Sequence, residues 1–288
     1  MLYRNYGKNK KQLSVVGLGG ISIKGLGLKE SSKIINLAID KGVNYFDVAP
    51  GYGDAQKLMG EGLKNKRNNV FLACKTKSRT LKDSNKDLED SLQTLKTDYF
   101  DLYQLHGMKT KEDYEKVIGK NGALETLEKA KKEGKINNIG FSCHSIEVAK
   151  LLLKTFSFDS ILIPINWKLI LNHNFGVEII DECNQLGVSV LALKVMADRQ
   201  WNSQKERELS YKNCWYKPLS DIKNINLAVR FALSRNITSF LPPGDPDLFL
   251  KGIKAVESYS KINEIEIEIL KNLAKVETSI GSREEIFI

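Results

Sequence analysis

Apolar and polar positions follow two periods that take turns along the chain. Short runs of five to seven apolar, often β-branched residues have almost no polar alternation, as in strands buried on both faces of a parallel sheet. Eight such runs stand out: Leu13–Leu18, Val43–Asp47, Asn69–Lys75, Phe100–His106, Ile136–Ser142, Ser160–Asn166, Val188–Lys194 and Ile237–Leu241. Between them the period lengthens to that of a helix. In "KESSKIINLAID", Ile34, Ile35, Ala38 and Ile39 share a face, with Ser31 or Ser32 as a cap. Gly42 ends that helix and "VNYFD" begins at once. "EKAKKEG", "IIDECNQLG" and "FALSRN" end the same way, at Gly134, Gly187 and Asn236, each directly before a strand.

Eight strand-then-helix units in 288 residues predict an α/β fold: a (β/α)8 TIM barrel, parallel and eight-stranded, with residues 1–288 forming one domain. "KINEIEIEILKNLAKV" predicts an extra C-terminal amphipathic helix packed outside. The rival is a doubly wound open sheet. It expects GxGxxG after the first strand, and "GLGGISIKGLG" has the wrong spacing with no helix opening there.

Composition narrows the function. The net charge of +9 is spread along the chain, without the basic and aromatic stripe expected of a nucleic-acid binder, and a Lys-, Asn- and Ile-rich bias explains it as well as a partner does. A basic surface still favours a small anionic ligand. Cys74, Cys143, Cys183 and Cys214 form no CxxC pair, which fits a reducing compartment; no HxH, HExxH or carboxylate cluster suggests a metal. "MLYRNYGKNKKQLSVVGLGG" lacks the apolar core of a secretory signal, and no apolar run approaches the roughly 20 residues of a membrane span. A cytoplasmic protein with no membrane and no nucleic-acid partner is expected.

Barrel chemistry gathers at the carboxyl ends of the strands. Those ends carry, in order, Asp47, Lys75, His106, Ser142, Asn166, Lys194 and the "PPG" of Pro242–Gly244. Singly, each has a plain structural reading: Asp47 as a helix cap, Lys75 as a solvated strand end, His106 as a core histidine with its bonds made. Together they form a polar ring on one face. "VNYFDVAPGYGD" adds a phenol, Tyr52, in a loop whose Pro50, Gly51 and Gly53 bring it back over the mouth. A free tyrosine has a pKa near about 10. A nearby ammonium favours the phenolate, and an ammonium in a dry cleft needs an acid such as Asp47. Tyr52 then becomes a proton donor, and His106 can hold a carbonyl oxygen. Such a set serves carbonyl reduction, with the hydride supplied by a cofactor.

"NYFDVAPGYGDAQKLMGEGLK", "VFLACKT", "DYFDLYQLHG", "GKINNIGFS" and "GVSVLALK" together resemble the aldo-keto reductases over nearly the whole chain. The resemblance implies the tetrad Asp47, Tyr52, Lys75 and His106, and a nicotinamide cofactor across the mouth, NADP(H) favoured and NAD(H) possible. It implies Ser142 on the carboxamide, with Cys143 where the family has asparagine. Asn166 or Leu162 stands in place of the sixth strand's usual glutamine, and Asn166 is preferred because it ends the strand. Lys194, Gly244 and Lys251 are the further cofactor candidates. "LPPGDPDLFLKGIK" lacks the family's Ser and Arg pair for the 2′-phosphate and presents Asp245 and Asp247 first. "PINW", "CWYKPLSD" and "LPPGDPDLF" resemble a bacterial branch.

The segment Met196–Asp221 is long for a strand–helix loop and holds Trp201, Tyr211, Trp215 and Tyr216, which either pack it onto the barrel or make it a lid. Trp167, Trp201 and Trp215 are the candidate walls of the substrate pocket. His144 and His173 read as solvated loop histidines. The expected function is NAD(P)H-dependent reduction of a small aldehyde or ketone, with the proton from Tyr52. The family also includes channel-associated subunits, so the alternative is a nicotinamide-binding sensor or partner subunit with little turnover. A Schiff-base aldolase through Lys75 is weaker, because it leaves Asp47 and Tyr52 without a task.

Overall fold

A computed structural model of the chain describes residues 1–8 and 10–275. Eight parallel strands form one sheet in sequence order: Leu18–Gly19, Tyr45–Asp47, Phe71–Thr76, Phe100–Met108, Ile136–Cys143, Ser160–Pro164, Ser189–Leu193 and Ser239–Phe240. Closure comes from Val16 pairing in parallel with Phe240; Phe240 N–H donates to Val15 O, and Gly17 N–H to Phe240 O, both at 2.9 Å. The result is a (β/α)8 barrel. All eight expected strands are present, with ends displaced by a few residues.

Two cores follow from the period of two within strands. Inside the barrel, Tyr45, Phe71, Ala73, Leu102, Leu162, Leu191 and Leu241 pack with Tyr6 and Leu13. Between sheet and helices lies the larger core, where Phe46, Leu72, Tyr103, Phe141 and Ile163 meet helical residues such as Ile35, Leu88, Leu127 and Leu152. Since residues i and i+2 share a face, the position two beyond each inner apolar residue is the next inner layer up. Tyr45, Ala73 and Leu102 thus lead to Asp47, Lys75 and Gln104, which build the polar layer at the mouth.

A hairpin that the hydrophobic pattern does not predict precedes the barrel. Tyr3–Tyr6 pairs antiparallel with Lys11–Ser14 and closes the amino end of the barrel. Tyr6 is buried there, with its hydroxyl donating to Ser160 Oγ at 3.0 Å and its ring edge-on to Phe71. The expected C-terminal helix spans Glu264–Lys275 and packs against Trp167–His173. Val276, at the end of the expected segment, lies outside the described residues, as does the end of the expected domain.

The segment after the seventh strand is folded. Ala197–Arg199 pairs antiparallel with Lys217–Pro218, and a helix covers Gln204–Leu209 between them. Trp201 Nε1 donates to Cys214 O at 3.0 Å, and Asn213 Nδ2 to Lys24 O at 3.1 Å, which ties the segment to the loop after the first strand.

Candidate active site

Asp47 ends the second strand and Lys75 sits near the end of the third. Both side chains are buried, at 2% and 1% exposure, and they form a direct ion pair. The other Asp47 oxygen accepts from Tyr45 hydroxyl at 3.2 Å and Gln104 Nε2 at 3.1 Å. Tyr45 stands two residues before Asp47 on the same face, and room for its ring comes from Gly17, where a Cβ would lie 2.4 Å from Tyr45 Cδ1. Neither partner was found from sequence, although the period of two could have found both: Gln104 lies two residues past inward-facing Leu102.

The loop that follows turns through Gly53 at φ +61° and returns Tyr52 over this pair. The Lys75 ammonium stands 5.7 Å from the Tyr52 ring centre. His106 lies edge-on to the same ring at 6.1 Å. Tyr52, Lys75, Asp47 and His106 are therefore brought together from three strands and one loop.

Protonation follows from this setting. Burial opposes the Lys75 charge, but Asp47 and Tyr52 more than compensate, and its pKa is raised. The amine needed for a Schiff base is thus held protonated. Tyr52 departs from the sequence expectation. Burial pushes its pKa above the ordinary value, and the pull of Lys75 in the other direction is smaller. A dry site disfavours a phenolate more than one ammonium stabilises it, so Tyr52 keeps its proton at neutral pH. His106 is pushed down to about 2, by burial first and then by Lys75, Lys77 and Arg79. It is a neutral imidazole, able to donate one hydrogen bond.

The other expected site residues divide. Ser142 is buried, and its Oγ accepts Gly107 N–H at 2.7 Å, leaving the hydroxyl proton to give. Asn166, expected on the nicotinamide amide, is engaged within the protein. Its Oδ1 takes Lys168 N–H and Leu169 N–H as the cap of the Trp167–His173 helix, and its Nδ2 donates to Lys194 O at 3.0 Å and Ala197 O at 2.9 Å. Its hydrogen bonds are complete without a ligand. The alternative, Leu162, is part of the inner apolar core. Lys194, at φ +62°, is pushed down to about 7 by burial, with Lys109 adding to the effect, and its ammonium lies 5.9 Å from the Tyr216 ring.

Gly244 packs so closely against the long loop that a Cβ would lie 3.0 Å from Asn213 O. Lys251 is engaged: its ammonium pairs with Asp247 at 2.8 Å and donates to Ser220 O at 3.1 Å. Asp245 caps the helix Pro246–Glu257 through Asp247 N–H and Leu248 N–H. Of the three tryptophans, Trp167 is buried in the outer core and Trp201 pins the long loop. Trp215, 59% exposed and 6.2 Å from the Tyr52 ring, is the one open beside the phenol.

A family model for the Aldo/keto reductase family matches residues 15–269. The chain belongs to this family. Among reductase-like relatives, "Uncharacterized oxidoreductase YqkF" of Bacillus subtilis is 32% identical over 176 residues, 56% of this chain and 55% of that one. "Aldo-keto reductase YhdN" of the same organism is 32% identical over 149 residues, 47% and 43% of the two chains. The matched region thus spans about half the length of these curated relatives. The fold is shared with the holo form of the aldo-keto reductase AKR11C1 from Bacillus halodurans, at a TM-score of 0.76 and 24% identity, covering 99% of this chain and 100% of that one. A structure from Klebsiella pneumoniae, described as an aldo/keto reductase in complex with NADP and acetate, matches at a TM-score of 0.69 and 18% identity over 94% and 95% of the chains.

Among the described residues no group of three or more His, Cys, Asp or Glu could hold a metal ion, and no helix is long and apolar enough to cross a membrane. A polar groove of about 540 Å³ lies at the opposite end, beside Arg4 and Gln12 of the hairpin. The Arg4 guanidinium is spent there on the carbonyls of Leu233 and Ile237.

Proposed function

We propose that this aldo-keto reductase family member reduces an aldehyde or ketone to an alcohol with NAD(P)H. The observation that carries the reading is the buried Lys75–Asp47 pair set beneath the Tyr52 ring, with neutral His106 alongside. A bound reduced nicotinamide supplies the hydride, which no side chain carries. The residues present suit its amide end, since Ser142 has a hydroxyl proton to donate at the mouth.

The rest belongs to the chain. His106 donates a hydrogen bond to the carbonyl oxygen and fixes the substrate. Tyr52 gives its proton to that oxygen as the carbon accepts the hydride, so C=O becomes CH–OH. The phenolate left behind forms next to Lys75, which stabilises it. Asp47 keeps Lys75 charged, and Tyr45 and Gln104 keep Asp47 in place. The folded segment Met196–Asp221 limits water at the mouth.

The test is Tyr52→Phe. NADPH binding should persist while kcat for a good aldehyde falls by roughly 10²–10⁴-fold, the usual worth of a positioned general acid. Unchanged turnover would remove Tyr52 from its role. Cofactor choice has its own measurement. Lys251, the base nearest the start of this helix, is already paired with Asp247 and so is not a free clamp for a 2′-phosphate. NADPH should bind more tightly than NADH by less than about 100-fold, roughly 2.7 kcal/mol. A fluorescence titration giving a ratio in the thousands would mean that the phosphate is held elsewhere.

A further inference from the structure

Four carboxylates around the barrel mouth are paired with cations, and Asp54, two residues past Tyr52, accepts Gly25 N–H at 2.9 Å. Asp47 pairs with Lys75, Asp113 with Arg79 at 2.8 Å, Asp198 with Lys168 at 2.7 Å and Glu206 with Lys217 at 2.5 Å. Besides Lys24, which stands against Gly53, two lysines on this face differ. Lys77 follows Lys75 by two residues and Lys109 follows His106 by three; both are exposed, and among the described residues neither has a carboxylate within 4.0 Å.

Their placement is toward the chemistry. The Lys77 ammonium lies 4.0 Å from where a side chain on Gly51 would begin, beside Tyr52. Its field helps hold His106 neutral, and that of Lys109 acts on Lys194. A carbonyl within reach of both Tyr52 and His106 therefore has the Lys77 ammonium close by, and Lys109 stands in the loop that follows His106. Trp215 supplies an open apolar surface beside the same phenol. Such a mouth is suited to a molecule that brings its own negative charge, because an ion pair beside a partly dry cleft is less screened than one in open water.

We propose that the substrate is an aldehyde or ketone that also carries an anionic group, a carboxylate or a phosphate, held by Lys77 and Lys109. This rests on the carbonyl reduction proposed above and names its substrate class. The anionic group takes no part in the reaction: hydride goes to the carbonyl carbon, the Tyr52 proton to its oxygen, and NAD(P)H is oxidised.

Matched pairs of substrates test the inference: 4-carboxybenzaldehyde against 4-methylbenzaldehyde, and glyceraldehyde 3-phosphate against glyceraldehyde. In one pair at least, kcat/KM should favour the anion by about tenfold or more, roughly 1.4 kcal/mol. The preference should lie mainly in KM and shrink with added salt. The pair that shows it identifies the carboxylate or the phosphate. Lys77→Gln combined with Lys109→Gln should bring the ratio near one, and Lys→Arg at both positions should retain it. Ratios near one in both pairs, with all four compounds reduced, would overturn this inference and leave carbonyl reduction standing. A ratio that survives the double Gln variant would overturn it too. So would a weakened NADPH Kd in that variant with the ratio intact, since the two ammonium groups would then serve the cofactor. Reduction of none of the four would remove the carbonyl-reductase reading and this inference with it.

Discussion

Two carboxylates are buried at opposite ends of the barrel, Asp47 at the mouth and Asp101 at the closed end, and they are held differently. Asp101 has a side-chain exposure of 3% and is met by Lys11 at 2.6 Å, Arg67 at 2.9 Å and Leu72 N–H at 3.0 Å. Lys11 is 51% exposed and keeps much of its hydration, and Arg67, at 16%, has other protein partners in Thr97, Val70 O and Tyr99 O. Asp47 is met by a lysine that is itself 1% exposed. A buried acid is thus no sign of chemistry by its own burial. At the closed end it ties the hairpin to two strands. At the mouth it keeps a charge inside a cleft, a costly arrangement whose use is to act on a third group.

Paired substitutions would break this comparison most forcefully. Asp47→Asn leaves the Lys75 ammonium buried without a carboxylate, and breaking such a pair costs about 3–5 kcal/mol. Turnover should fall together with thermal stability. Asp101→Asn should cost only about 1–3 kcal/mol, with kcat retained, because Lys11 can turn to water and Arg67 keeps its other partners. Thermal melts read alongside steady-state rates decide it: full turnover in Asp47→Asn, or lost turnover in Asp101→Asn, would erase the distinction.

A smaller effect sharpens the same contrast through pH. His106 titrates at about 2 rather than 6.5, so the rate of reduction should show no inflection near pH 6.5. Tyr52 acts in its protonated form and its pKa is raised, so the plateau should extend upward and fail only at strongly alkaline pH. Stability behaves otherwise. Below pH 6.5 the unfolded chain protonates a histidine that the folded chain keeps neutral, so acidification draws the equilibrium toward unfolding. A rate profile that bends near pH 6.5 would mean that His106 carries the proton.

The eight barrel strands were legible because their apolar runs are continuous and several of the helices between them stop at a Gly or Asn, as at Gly42, Gly134, Gly187 and Asn236. The hairpin was not: "YRNY" and "KQLS" are short and mostly polar, and Leu13 was absorbed into the first barrel strand. At the site, the positions of Asp47, Lys75 and His106 followed from strand ends, and Tyr52 from its glycine-rich loop. What could not be read was which polar groups are already occupied. The amide of Asn166 is consumed by Lys194 O and Ala197 O, about thirty residues away, and the three tryptophans look alike until burial separates Trp215 from Trp167. The sign of the Tyr52 shift was missed because sequence shows a neighbouring charge but not how dry the cleft is.

The hairpin at the closed end also bears on how the chain is made. Tyr3–Tyr6 is synthesised before everything it rests on. Arg4 waits for the carbonyls of Leu233 and Ile237, and Tyr6 for Ser160. Contacts of such long sequence separation form late and slow the search for the native state. On the ribosome, therefore, the hairpin cannot complete these contacts until residue 237 has been made, near the end of the barrel.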